Sequence, residues 1–208
     1  MLVVATVLGV ALVGCGGGSS GISAATGTAR SAATSSTRSD APASTQSAAP
    51  EANAAGDIPD SQVFVPFTPP GGGYTVSVPQ GWAQSTESGA TLFTDKYHNI
   101  RVQSQAAPTT VDVASAQATE VPALQTSVPG FALTDVRAVQ RSAGRAVLIV
   151  YQAMSPLNTV TGASVPLSVE RYEFARNGRE IVLTLAGPKG SDDVDPWRKV
   201  TDSFRWQQ

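Results

Sequence analysis

The chain has one cysteine, Cys15, and one histidine, His98, in 208 residues. With a single thiol no intramolecular disulfide forms, so the fold must be held by packing. With a single imidazole, familiar acyl-transfer catalysis would have to run through His98, and no Gly-x-Ser-x-Gly elbow occurs anywhere. Charge is scarce as well: Asp, Glu, Lys and Arg make up 14% of residues, the formal net charge is -2, and from Val63 onward about 12 basic side chains stand against about 12 acidic ones. Nucleic-acid binding needs a concentrated basic face, which this balance argues against. Nor is there an apolar run of the roughly 20 residues that a membrane-spanning helix requires.

What apolar run there is lies at the start. Leu2 to Val13 is apolar or small, the length of a signal-peptide core, and it leads into Leu12-Val13-Gly14-Cys15. That run resembles a lipobox, in which aliphatic and small residues precede a cysteine that takes a diacylglyceryl group. Cleavage would make Cys15 the first mature residue and the lipidation site, with acyl chains such as palmitate holding the protein on the membrane. Each buried methylene contributes about 0.8 kcal/mol, and two chains give stable anchoring where one is marginal. One departure is that Met1 leads straight into Leu2, so no Lys or Arg forms a positive n-region.

Residues 15–61 are Ser, Thr, Ala, Gly and Pro with almost no large apolar side chain, as in Ser31-Ala32-Ala33-Thr34-Ser35-Ser36-Thr37. Such a segment buries too little surface to offset its ordering entropy and reads as a disordered tether. A coil of this length reaches roughly 35 to 40 Å. Residues 62–208 then change character and are expected to form one domain. Tyr74 to Val78 alternates apolar and polar residues and stops at Pro79. Thr91 to Thr94, Asn99 to Ser104, Thr134 to Gln140, Arg145 to Ala153, Leu167 to Ala175 and Glu180 to Ala186 are further strand candidates. Asn177-Gly178, between the last two, is a strong hairpin signal because both residues tolerate positive φ. Val111, Ala114, Ala118, Val121, Leu124 and Val128 recur at helical spacing, with a kink or a restart expected at Pro122. Val194, Trp197, Val200 and Phe204 outline a C-terminal helix capped by an Asp. The expected class is α+β: an antiparallel sheet of about six to seven strands flanked by helices.

Few residues invite chemistry. His98 falls in the turn after Thr94, where a solvent-facing polar side chain is the default, so no catalytic residue is assigned. Asp192, Asp193 and Asp195 have the oxygen donors of a Ca²⁺ site, but capping and the helix dipole draw acidic residues to the same place, so no metal is assigned either. Gly71-Gly72-Gly73 precedes a strand rather than a helix, unlike a phosphate-cradling loop. Trp82, Trp197 and Trp206 are read mainly as core.

Tyr74-Thr75-Val76-Ser77-Val78-Pro79-Gln80-Gly81-Trp82, the Asn177-Gly178 hairpin and the ending Asp193-Val194-Asp195-Pro196-Trp197 to Ser203-Phe204-Arg205-Trp206 together resemble the PsbP/Mog1-like superfamily. Within it the likeness is to LpqN-type lipoproteins of actinobacteria. The resemblance implies a PsbP/Mog1-like sandwich and a role in binding, since members serve as extrinsic photosystem subunits, as a Ran-binding factor and as envelope lipoproteins. The metal ligands of photosynthetic members match no positions here, and no cofactor is carried over. The expected protein is therefore a non-enzymatic accessory subunit of an envelope complex, lipid-anchored through Cys15 on the extracytoplasmic face of the cell membrane. A carrier of a small apolar or lipid ligand is the alternative.

Overall fold

A computed structural model describes residues 56–108 and 111–207. Cys15, the signal segment 1–14 and the tether as far as residue 55 lie outside the described residues. Among those described, no helix is long and apolar enough to cross a membrane.

The strands are β1 (Phe64–Phe67), β2 (Tyr74–Pro79), β3 (Ala83–Glu87), β4 (Ala90–Asp95), β5 (His98–Ala106), β6 (Ala132–Arg141), β7 (Gly144–Met154), β8 (Pro166–Arg176), β9 (Arg179–Pro188) and β10 (Arg205–Trp206). Seven of them form one antiparallel sheet in the order β3-β4-β5-β9-β8-β7-β6, and β1-β2-β10 form a smaller one. Six of the expected strands, β4 to β9, lie in the main sheet, and the expected strand from Tyr74 is β2 of the small one. Its partners β1 and β10, and the polar edge strand β3, exposed throughout, were not visible in the alternation pattern.

The central strands read as near-continuous apolar runs because both faces of the sheet are covered. In β7, Ala146 and Leu148 join a core with Tyr172, Phe174, Ile181, Leu183 and Leu185. That core is closed by β2 and by the C-terminal helix α3 (Val194–Ser203), through Val76, Trp197, Val200 and Phe204. Phe204 is fully buried, its ring 4.5 Å from that of Phe174 and 5.8 Å from that of Tyr74. The alternate residues Val147, Ile149, Tyr151, Leu167 and Val169 face the mid-chain helix. The Asn177-Gly178 turn joins β8 to β9 as expected, with φ of 52° and 76°.

The mid-chain helix departs from its expected pattern. It starts as α1 (Val113–Ser115), passes through a π-helical turn (Ala116–Glu120), and continues as α2 (Val121–Ser127) with Pro122 at its second position. Of the kink or restart expected at Pro122 the helix shows a restart: the proline sits in the first turn of α2, behind the wider turn, where its missing N–H and its ring are tolerated. A π turn adds a residue and shifts the phase of the helix, so Ala116 is buried while Ala114 and Ala118 face solvent. The start is fixed by a reciprocal cap: Ser115 N–H donates to Asp112 Oδ1 at 2.8 Å, and Asp112 N–H to Ser115 Oγ at 3.0 Å.

Ile58, within the stretch read as tether, is buried against the first core. The chain therefore joins the domain ahead of β1, at the same end of the main sheet as His98.

Candidate functional site

The end of the sheet where β5 begins and β9 finishes carries the densest constellation of polar and aromatic side chains. His98 is not a turn residue in solvent. It is the first residue of β5 and is 5% exposed. Its Nε2 lies 3.1 Å from both carboxylate oxygens of Asp193, the residue just ahead of α3. Ser191 Oγ is 2.6 Å from Asp193 Oδ2 and 2.7 Å from the Pro188 carbonyl. The rings of Trp82 and Trp197 lie on the imidazole, each 6.1 Å from its centroid. The entering chain joins the same cluster, with Asp192 N–H donating to Asp57 Oδ1 at 3.1 Å.

Two expectations about α3 change with this geometry. Asp193 occupies the cap position but makes no side-chain cap bond, because its carboxylate is drawn to His98. Successive helical residues point about 100° apart, so turning Asp193 inward turns Val194 outward, and Val194 is 61% exposed rather than part of the buried stripe. Pro196, Trp197, Val200 and Thr201 form that stripe. Asp192 and Asp195 are exposed, and no three His, Cys, Asp or Glu side chains among the described residues are placed to share a metal ion.

Gly187 shows how tightly the cluster is built. A Cβ there would stand 2.1 Å from Asp193 Oδ2 and 2.8 Å from His98 Cδ2. Glycine inside a strand marks such a close approach. Chemically the arrangement is a latch rather than a nucleophile relay. A relay needs a hydroxyl on the imidazole and the carboxylate behind it, whereas here the hydroxyl and the imidazole both bind the carboxylate.

Beside the latch lies an open groove of about 410 Å³ between the β4–β5 turn and the β7–β8 loop, residues 155–165. Leu92, Leu167 and Pro156 give it apolar walls, while Glu87, Lys96 and Asn158 stand among the polar ones. The loop above it is ordered by its own hydrogen bonds. Asn158 Oδ1 accepts from the N–H groups of Val160 and Thr161, its N–H donates to the Ala163 carbonyl, and its carbonyl accepts from Gly162 N–H. Ser155 Oγ accepts from Val165 N–H at 3.0 Å. With the backbone satisfied internally, Leu157 and Val160 are held outward, 69% and 91% exposed.

A second polar cluster lies under the mid-chain helix. Arg171 donates through Nε to Glu173 and through Nη2 to Glu120, both at 2.9 Å, and Gln105 Nε2 donates to Glu180 at 2.7 Å. Glu120 belongs to the π turn, so this pair ties the irregular helix to the sheet. Burial pushes the Glu173 carboxyl above its ordinary range, and the Arg171 guanidinium opposes the shift.

Of the residues singled out in the sequence, His98, Trp82, Trp197 and Asp193 come together, while Trp206 lies with Gly71 and Gly73 at another pocket. Ser191 and Gly187, and the ionic layer of Glu120, Arg171, Glu173 and Glu180, carried no recognisable spacing. A lone histidine followed 95 residues later by an aspartate leaves no local signal; only strand pairing makes them neighbours.

No family model and no curated protein matches the chain. Solved structures do. The chain is similar to cyanobacterial PsbP (CyanoP) from Synechocystis sp. PCC 6803, with a TM-score of 0.52 and 14% identity, covering 73% of this chain and 98% of that one. It also matches the Ran-binding protein Mog1p of Saccharomyces cerevisiae, with a TM-score of 0.46 and 11% identity over 70% of this chain and 96% of that one. The third is LpqN of Mycobacterium tuberculosis, involved in cell envelope biogenesis, with a TM-score of 0.44 and 15% identity over 72% and 93% of the two chains. The chain spans 48% of the length of a Bacteroides thetaiotaomicron protein that it also resembles. At 14% identity the likeness to PsbP, with its TM-score of 0.52, establishes the fold alone, a PsbP-like α+β architecture.

Proposed function

We propose that the protein is a lipid-anchored extracytoplasmic lipoprotein that serves as a non-enzymatic accessory subunit of an envelope protein complex, docking through the β7–β8 loop. The observation that carries this reading is the pair Leu157 and Val160, large aliphatic side chains displayed on an internally hydrogen-bonded loop beside a part-apolar groove. A loop already ordered in the free protein loses little entropy on binding. Exposed apolar side chains rimmed by polar ones mark interaction sites. The His98–Asp193–Ser191 latch supports a non-catalytic role, because its hydrogen bonds are spent on joining α3 to the sheet. The tether and Cys15 would deliver the domain to its partner at the membrane.

Crosslinking in cells with a photoreactive group at residue 159 tests this. Wild type is expected to capture one envelope protein, and Leu157→Asp with Val160→Asp to lose at least about nine-tenths of the product while unfolding at the same temperature. Undiminished capture removes the loop from the interface. Cys15→Ala is expected to move the protein into the soluble fraction; a variant still firmly membrane-bound defeats the anchor.

The apolar walls of the groove also support a second reading, a carrier of a small apolar ligand. Native mass spectrometry of protein purified from its own host separates the two: a co-purifying lipid lost in Leu167→Asp favours the carrier.

A further inference from the structure

At the opposite end of β8 from the groove, the β8–β9 turn, the β1–β2 turn and β10 enclose an open, polar cavity of about 640 Å³. Its walls include Arg176, Arg179, Trp206, Gln207 and Gly73. Arg176 and Arg179 are directly opposite each other, the last pair of the ladder before the Asn177-Gly178 turn. Like charges facing each other across a ladder destabilise it unless something neutralises them. Among the described residues neither guanidinium has a carboxylate partner within salt-bridge distance, whereas Arg137, Arg141 and Arg171 each do. The nearest acidic residue in sequence, Glu180, is sent to the other face of the sheet by strand alternation, where it is buried and bonded to Gln105.

Arg176 and Arg179 are both exposed, and Arg179 lies against the β1–β2 turn. A Cβ at residue 73 would stand 1.9 Å from Arg179 Nη1, so the guanidinium rests on bare backbone at a glycine with φ of 89°. Gly73 is itself held there by its carbonyl, which accepts from Gln207 N–H at 3.0 Å. Trp206, packed edge-on against Phe204 at 5.3 Å, supplies a fixed aromatic wall. Glycine, aromatic and amide thus line the surroundings of two neighbouring cations that have no carboxylate partner among the described residues.

We propose that this cavity is an anion site that takes a phosphoryl group. Two guanidinium forks match the charge and the several oxygens of a phosphate, each able to donate two parallel hydrogen bonds. The volume is far larger than one phosphate, so the group arrives as part of a larger molecule, a soluble phosphate ester or the headgroup of an anionic lipid. The site is separate from the β7–β8 loop, and its test does not depend on whether that loop docks.

The test combines Trp fluorescence and thermal unfolding of the mature chain with inorganic phosphate and glycerol 3-phosphate, and flotation with vesicles of phosphatidylglycerol or of phosphatidylcholine alone. Wild type is expected to bind glycerol 3-phosphate saturably with a rise in unfolding temperature, and Arg179→Gln to weaken that binding about ten-fold or more. Flotation of the Cys15→Ala chain with phosphatidylglycerol, lost in Arg176→Gln/Arg179→Gln, assigns the headgroup; binding of the soluble ester without flotation assigns the soluble source. Without ligand, Arg176→Gln is expected to unfold at the same temperature as wild type or higher, since it removes like-charge repulsion. The proposal is overturned if no phosphate compound or vesicle binds, if the double variant binds as wild type does, or if Arg176→Gln lowers the unfolding temperature in the absence of ligand.

Discussion

Replacing His98 by alanine tests whether the buried constellation at the head of β5 is a structural latch. The substitution leaves the Asp193 carboxylate in a site where the residue is 6% exposed, with Ser191 Oγ as its remaining side-chain partner. Removing one partner of a buried pair typically costs about 3 to 5 kcal/mol. For a domain of this size that is a fall in unfolding temperature of roughly 6 to 20 °C, at about 2 to 4 °C per kcal/mol. Asp193→Asn is the milder change. Its amide oxygen still accepts one hydrogen bond, so the loss is expected at about 1 to 3 kcal/mol, the cost of one imperfectly satisfied buried group. The double variant should be less damaged than the sum of the two, with a coupling of about 0.5 to 3 kcal/mol, as for residues in direct contact. Urea unfolding followed by tryptophan fluorescence reads this directly, because Trp82 and Trp197 flank the imidazole. If both single variants unfold within about 0.5 kcal/mol of wild type, the level of ordinary surface substitutions, the latch argument fails. His98 would then have to be explained by what it binds rather than by what it holds.

Gly187→Ala should open the same latch from the strand side, since its methyl would overlap the Asp193 carboxylate; the expected loss is about 1 to 3 kcal/mol of overpacking, and Asp193→Ala in the same chain should recover part of it. A Gly187→Ala protein as stable as wild type would show that the approach is looser than the geometry indicates. Glu173 predicts a pH effect. Its carboxyl is held above the ordinary 4.5 by burial, so the folded state keeps a proton that the unfolded chain gives up. Its contribution to stability is therefore present below about pH 4.5 and lost as pH rises through the raised value. Glu173→Gln, which retains an acceptor for Arg171, should flatten this part of the stability profile, and an unchanged slope between pH 4.5 and 7 would count against the assignment.

The strands and their turns were legible because their signals are local. Tyr74 to Pro79 alternates with the pleat, and Asn177-Gly178 tolerates the positive φ that a tight two-residue turn requires. Where a signal depended on partners it was lost. β3 is polar and exposed, and it is a strand because β4 offers it a ladder. Ala116 rather than Ala118 is buried because the π turn before Pro122 resets the helical phase, which period counting does not register.

The functional residues divide on the same physical line. The sequence alone carried the expectation of a membrane address, a cysteine behind an apolar run with a polar segment after it, because targeting is read from a linear segment. It also carried the α+β class and the shortage of nucleophiles. Tertiary structure decided everything that needs two distant segments to meet. It turned His98 from a presumed solvent-facing residue into the buried partner of Asp193. It held Leu157 and Val160 outward on a self-bonded loop, and it set Arg176 opposite Arg179 with no carboxylate within salt-bridge distance among the described residues. Such contacts arise from register and face, and a chain read residue by residue contains neither until the strands have paired.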